Sequence, residues 1–169
     1  MKRLGILSIL LISCLSLVGC TKTTPIMYVE NGVYNLTAQD YIDRINAEVA
    51  AQNDSRYLQI PDFSVSDEAI NIDWIYLTVR ITTDSNEKIK EIQYSWNGTR
   101  TDVGYSIGLY CGMTVEMLAE GESGSAMDTL DMMDYTSVSY ETSYTVNGTV
   151  LEYSTIGGGE FNWLTIRPE

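Results

Sequence analysis

The sequence predicts an α+β domain: an antiparallel sheet with helices on one face. Three observations lead there. The segment from Thr37 to about Gln52 repeats apolar residues at helical spacing behind a capping residue. Five later segments are rich in strand-forming residues and fall into groups joined by short turns, among them Asn147-Gly148. Helical patterns stand between the hairpins, in the order α-β-β-α-(α)-β-β-β, and helices so placed must cover one face of the sheet.

The first helix is marked by Thr37 as N-cap, with Asp40 three residues on to complete a capping box and Leu36 before it to staple onto Tyr41. Tyr41, Ile42, Ile45 and Val49 form its apolar face, and Asn53-Asp54-Ser55 breaks it. A strand is expected from Ile70 to Thr82. Its alternation changes phase at Trp74-Ile75, which predicts a bulge or a move between two covered faces. The turn Asp84-Ser85-Asn86 leads to a second strand, Lys88 to Trp96, with Ile92, Tyr94 and Trp96 on one face. Residues 103–120 read as a helix, with Val103, Ile107, Tyr110, Val115 and Leu118 at roughly helical spacing. Gly104, Gly108 and Gly112 each cost that helix about 1 kcal/mol, and their spacing of four permits close packing against a sheet. Ser125 caps a short helix, Ala126 to Met133, with Met127, Leu130 and Met133 inward. Strands Val138–Val146, Thr149–Thr155 and Phe161–Ile166 follow, separated by Asn147-Gly148 and Gly157-Gly158-Gly159.

A helix followed by hairpin strands occurs twice. In the order of its elements this is similar to exported inhibitor domains of the beta-lactamase-inhibitor type, a likeness that transfers no residues.

The N-terminus has a different character. Met1-Lys2-Arg3 precedes an apolar run from Leu4 to Val18, the pattern of a secretory signal. The run is shorter than the about 20 residues a spanning helix needs. It ends in Leu17-Val18-Gly19-Cys20, which resembles the lipobox of bacterial lipoproteins at all four positions. The resemblance implies cleavage before Cys20, a diacylglycerol on its sulfur, and attachment to the outer side of a cell membrane. Two acyl chains suffice for stable anchoring where one does not. The expected organisation is a signal peptide at 1–19, a lipidated cysteine and tether at 20–33, and one globular domain at 34–169.

Composition excludes several functions. The chain has 10 basic and 23 acidic side chains, and removal of Lys2 and Arg3 with the signal leaves −15 on the mature chain. So acidic a domain does not seek nucleic acid or anionic lipid. With Cys14 in the signal and Cys20 lipidated, Cys111 is the one thiol left, so no disulfide staples the mature chain. The sequence has no His. Gly104-Tyr105-Ser106-Ile107-Gly108 matches a nucleophile elbow, but a Ser-His-Asp triad is impossible without His. Cys111 likewise has no His to activate it. A transition-metal site is not expected from these residue types, and no cofactor is called for. Asp128, Asp131 and Asp134 recur every three residues without a calcium-loop pattern and read as a solvated acidic face.

The binding-type signal is aromatic: Trp74, Trp96 and Trp163, with Tyr76 and Tyr94, on predicted strands. Shared exposure on an uncovered sheet face would suit a cell-surface protein, a peptide or a glycan. The sequence leans toward a non-catalytic binding or accessory lipoprotein. The alternatives are a small hydrolase using carboxylates and a structural envelope protein.

Overall fold

A computed structural model describes residues 24–61, 63, 65–66, 69–73, 77–97, 101–132 and 139–169. The signal segment, Cys20, Trp74, Tyr76, Met133 and Asp134 lie outside the described residues.

A two-stranded ribbon, β1 (Val29–Glu30) and β2 (Val33–Tyr34), precedes helix α1 (Ala38–Gln52). Thr37 caps α1 as its sequence predicts. Its hydroxyl accepts the Asp40 N–H, and the Asp40 side chain accepts in return from the Thr37 N–H. Asn53, with φ of +48°, closes the other end.

Strands β3 (Val65–Ser66), β4 (Ala69–Asp73), β5 (Leu77–Thr83) and β6 (Ile89–Asn97) follow. Helices α2 (Thr101–Leu118) and α3 (Ser123–Leu130) come next, and then β7 (Ser139–Val146), β8 (Thr149–Ile156) and β9 (Phe161–Pro168). β3 to β9 make one sheet in the order β3-β4-β5-β6-β9-β8-β7, antiparallel at every pairing. The molecule is therefore α+β with an antiparallel sheet, in the expected order of main elements.

The sheet is two units joined edge to edge. Each unit is helical structure followed by strands, and each contributes its last strand to the centre, where β6 pairs with β9 around Tyr94 and Leu164. The core rows run straight across this join. One row is Ile70, Ile81, Ile92, Ile166, Leu151; the next is Ile72, Val79, Tyr94, Leu164, Tyr153. All ten are buried. The apolar stripe of α1 and the buried face of α2, including Ile107, Tyr110 and Val115, belong to the same core.

Hydrogen bonds fix the helices to this face. Tyr41 of α1 bonds both Tyr94 (2.8 Å) and Thr114 of α2 (2.7 Å). On α3's side, Tyr144 donates to Glu122, and Thr142 donates to the Thr129 carbonyl.

Four expectations change. The single strand from Ile70 to Thr82 is a hairpin, in which β4 and β5 pair Ile70 with Ile81 and Ile72 with Val79. The phase change in the sequence is thus a reversal of the chain, and both phases point into one core. Gly108 and Gly112 do not meet the sheet. A Cβ on Gly108 would lie 3.6 Å from Met127 Cε, and one on Gly112 4.0 Å from Ser123 Cβ, so these glycines face α3. Helix α3 begins at Ser123 and ends at Leu130, with Ala126 and Leu130 buried and Met127 partly so. Finally, packing begins inside the stretch read as tether: Met27 is fully buried and its N–H bonds the Met117 carbonyl at 2.9 Å.

Candidate binding face

Strand parity that sends one set of side chains under the helices sends the other to the opposite face. On β5 to β9 that face carries Thr78, Gln93, Ser95, Thr165 and Ser154, and on β7 Glu141, Ser143 and Thr145. None of these is buried, and the helices' bonds to the sheet fall on the other side. The face carries both signs of charge, with Arg80, Lys90 and Arg167 beside Glu91, Glu141 and Glu152. Arg167 pairs with Glu152 at 2.8 Å. A shallow hollow of about 410 Å³ lies beside this pair, lined by Glu141, Ser143, Ser154 and Thr165 among others.

One end of the face is apolar. Phe161 and Trp163 stack with ring centroids 6.3 Å apart and planes 19° from parallel. Phe161 is 46% exposed, and Ile156, its direct partner on β8, is 52% exposed. Ser95 and Ser154 flank Trp163 on the neighbouring strands. A flat aromatic pair edged by hydroxyls offers dispersion contact and short polar contacts together, which suits a peptide, a protein surface or a sugar ring.

The aromatic set expected from the sequence is thereby divided. Trp163 is on the open face. Tyr94 and Trp96 are not on that face: they point into the core, where Trp96 stacks on Tyr153 at 5.9 Å and Tyr94 lies 5.7 Å from Tyr110. Trp74 and Tyr76 lie outside the described residues. Phe161 and Ile156 complete the cluster and were not expected. Parity in the sequence could have found them. In Phe161-Asn162-Trp163-Leu164-Thr165-Ile166, Leu164 and Ile166 claim the core, so Trp163 and Phe161 must face away. Ile92 claims Tyr94 and Trp96 for the core in the same way.

The nucleophile candidates have structural employment. Ser106 is fully buried, and its hydroxyl accepts the Leu58 N–H at 2.9 Å, while Tyr110 donates to the Leu58 carbonyl. Together they pin the loop that follows α1. Cys111 is fully buried, and desolvation pushes its thiol up to about 12. The carboxylates whose acidity is resolved are all made stronger acids by hydrogen bonds, led by Thr37 for Asp40, Arg56 for Asp54, the Lys88 N–H for Asp84 and the Gly121 N–H for Glu116. A general acid at neutral pH needs the opposite shift. Among the described residues, no three His, Cys, Asp or Glu side chains are grouped to hold a metal ion, and no helix is long and apolar enough to cross a membrane.

No protein-family model, curated protein or solved structure matches this chain.

Proposed function

We propose that the chain is a lipid-anchored, extracytoplasmic binding protein that holds its partner on the open face of the sheet, around Phe161, Trp163 and Ile156. The observation that carries this reading is the face itself: uncovered by the helices, polar with both signs of charge, and ending in a stacked aromatic pair of exposed Phe161 and half-buried Trp163 beside exposed Ile156. Exposed apolar clusters rimmed by polar groups mark contact sites. Arg80, Lys90 and Arg167 on that face offset part of the negative charge that would repel an anionic partner elsewhere. The anchor rests on the lipobox resemblance at Leu17 to Cys20. A domain displayed outside the cell on a lipid suits capture or partner contact better than diffusion-limited turnover.

The test uses the full chain in detergent micelles, titrated with solubilised envelope protein and with cell-wall glycan while Trp fluorescence is followed. One of the two should give a saturable change that Trp163→Ala abolishes at unchanged melting temperature. Acyl label should enter wild type and not Cys20→Ser. Equal responses from wild type and Trp163→Ala would remove the face from the proposal, and an unlipidated wild type would remove the anchor. Turnover of a glycan, ester or peptide, lost on replacing one Asp or Glu, would put the carboxylate hydrolase in its place.

A further inference from the structure

The two edges of the sheet are guarded differently. β3, at one edge, is only two residues long. Short edge strands are a common protection against pairing with other chains. β7, at the other edge, is eight residues long and contains no Pro, Gly or Lys. Its pairing with β8 runs without a shift from Ser139↔Ile156 to Val146↔Thr149, so no bulge twists it away.

Register states which backbone groups are left over. Val146 and Thr149 flank the two-residue turn Asn147-Gly148, whose φ values of +46° and +72° fit a type I′ hairpin. In such a hairpin the flanking pair exchanges both backbone hydrogen bonds, and every second pair after it does the same. Val146, Tyr144 and Thr142 therefore bond β8, while Thr145, Ser143 and Glu141 turn N–H and C=O outward. No described segment pairs with that side of β7.

Charge selects what fits there. Between Arg100 and Arg167 the sequence has ten Asp and Glu and no Lys or Arg. That stretch includes both helices of the second unit and the whole of β7 and β8. Glu141 is exposed on the edge itself, and Glu122 sits over it on the helix side, bonded to Tyr144 at 2.8 Å. Asp128 and Asp131 are exposed on and just after α3, the helix packed over β7. A second copy would bring the same acidic surface against its own, with no Lys or Arg between Arg100 and Arg167 to offset it.

We infer that β7 is a docking edge for an extended segment of a partner protein carrying Lys or Arg at alternate positions. The segment adds as an eighth strand, bonding the outward groups of Glu141, Ser143 and Thr145, with a cationic side chain against Glu141 on the open face. Strand addition of this kind takes affinity from the backbone and specificity from alternate side chains. The inference rests on the edge and not on Phe161 and Trp163, so it stands or falls apart from the proposed function.

The probe is a ten-residue peptide alternating Lys and Thr, titrated into the full chain in micelles. Three controls accompany it: the same peptide with Glu for Lys, the same peptide N-methylated on alternate residues, and the chain's own sedimentation. The Lys peptide should bind, the Glu peptide and one of the two N-methylation registers should not, and the outward amides of Glu141, Ser143 and Thr145 should gain protection from exchange. Ser143→Pro removes an outward N–H without touching the β8 ladder and should abolish binding. Should that variant unfold, Glu141→Lys leaves the backbone intact and should weaken binding by about tenfold or more, as expected for a charge reversal at a contact. Binding unaffected by N-methylation in both registers, or unaffected by Glu141→Lys, overturns the inference. So does a dimer that Ser143→Pro dissociates, since the occupant is then a second copy.

Discussion

The two units of the sheet share a plan and differ in finish. The first, from α1 to β6, has a fully capped helix and an outer edge cut to two residues. It also holds both signs of charge, with Arg44, Arg56, Arg80, Lys88 and Lys90 among its acids. The second, from α2 to β9, begins α3 at Glu122 without a side-chain cap, leaves eight residues of edge strand, and has no base before Arg167. Both units bury the same rows of the sheet. Core and surface thus compare differently between the units: the cores match, while the first ends in a two-residue edge strand and the second in an eight-residue one with no described strand on its outer side.

The largest expected loss lies where the units are joined. Tyr41 belongs to the first, and its hydroxyl meets Tyr94 of its own unit and, across the join, Thr114 of α2. Tyr41→Ala should cost about 3–5 kcal/mol in denaturant unfolding, for a deleted aromatic side chain and a cavity. Tyr41→Phe keeps the ring and should cost only about 1–2 kcal/mol. Similar losses in the two variants would show that the hydroxyl, rather than packing, holds the units together.

The next effect belongs to the first unit's cap. Thr37→Ala should cost about 1 kcal/mol by the same assay. The Asp40 carboxyl is held below the usual carboxylate range, first by the Thr37 hydroxyl and then by the Thr37 N–H. Its share of stability is therefore complete above the unfolded carboxylate's value, near about pH 4, and disappears as pH falls through the lower folded value. Wild type should lose stability below about pH 4, and Thr37→Ala should lose less over that range. Parallel acid curves for the two proteins would assign the acid sensitivity elsewhere.

The smallest effect lies where α2 and α3 meet. At Gly112 a Cβ would find only Ser123 Cβ, at 4.0 Å. Gly112→Ala should thus raise stability by up to about 1 kcal/mol, the helix-propensity difference. A loss instead would mean that the helices approach more closely than that contact.

Legibility in the sequence followed the range of the interaction that decides each feature. The α1 cap and the Asn147-Gly148 hairpin are settled within four residues, and both were readable from Thr37, Asp40 and the turn pair. The β4–β5 hairpin was misread as one strand, because residues 74–76 carry no Gly or Pro to announce a reversal. The glycines of α2 declared a close approach but not to what, since a helix face carries no label for its partner. The candidate face was half legible. Its place on an uncovered sheet follows from element order, but Tyr94 and Trp96 were assigned to it by residue type alone when the parity set by Ile92 excludes them.

Met27 sets how far the molecule reaches. With the proposed lipid on Cys20, the chain is gripped seven residues later, at the buried Met27 beside Met117, so the segment between can span roughly 25 Å at most. The grip lies near the β7–β8 turn, where Asn147 donates to the Leu118 carbonyl and shares a hollow with Thr24, Pro25 and Ile26. Ile156 and Phe161 occupy the far tip, a further seven residues of β8 or roughly 23 Å outward. Under the proposed anchoring, a pull on the lipid would enter the fold at Met27, remote from that tip, and would not pass first through a partner's contact there.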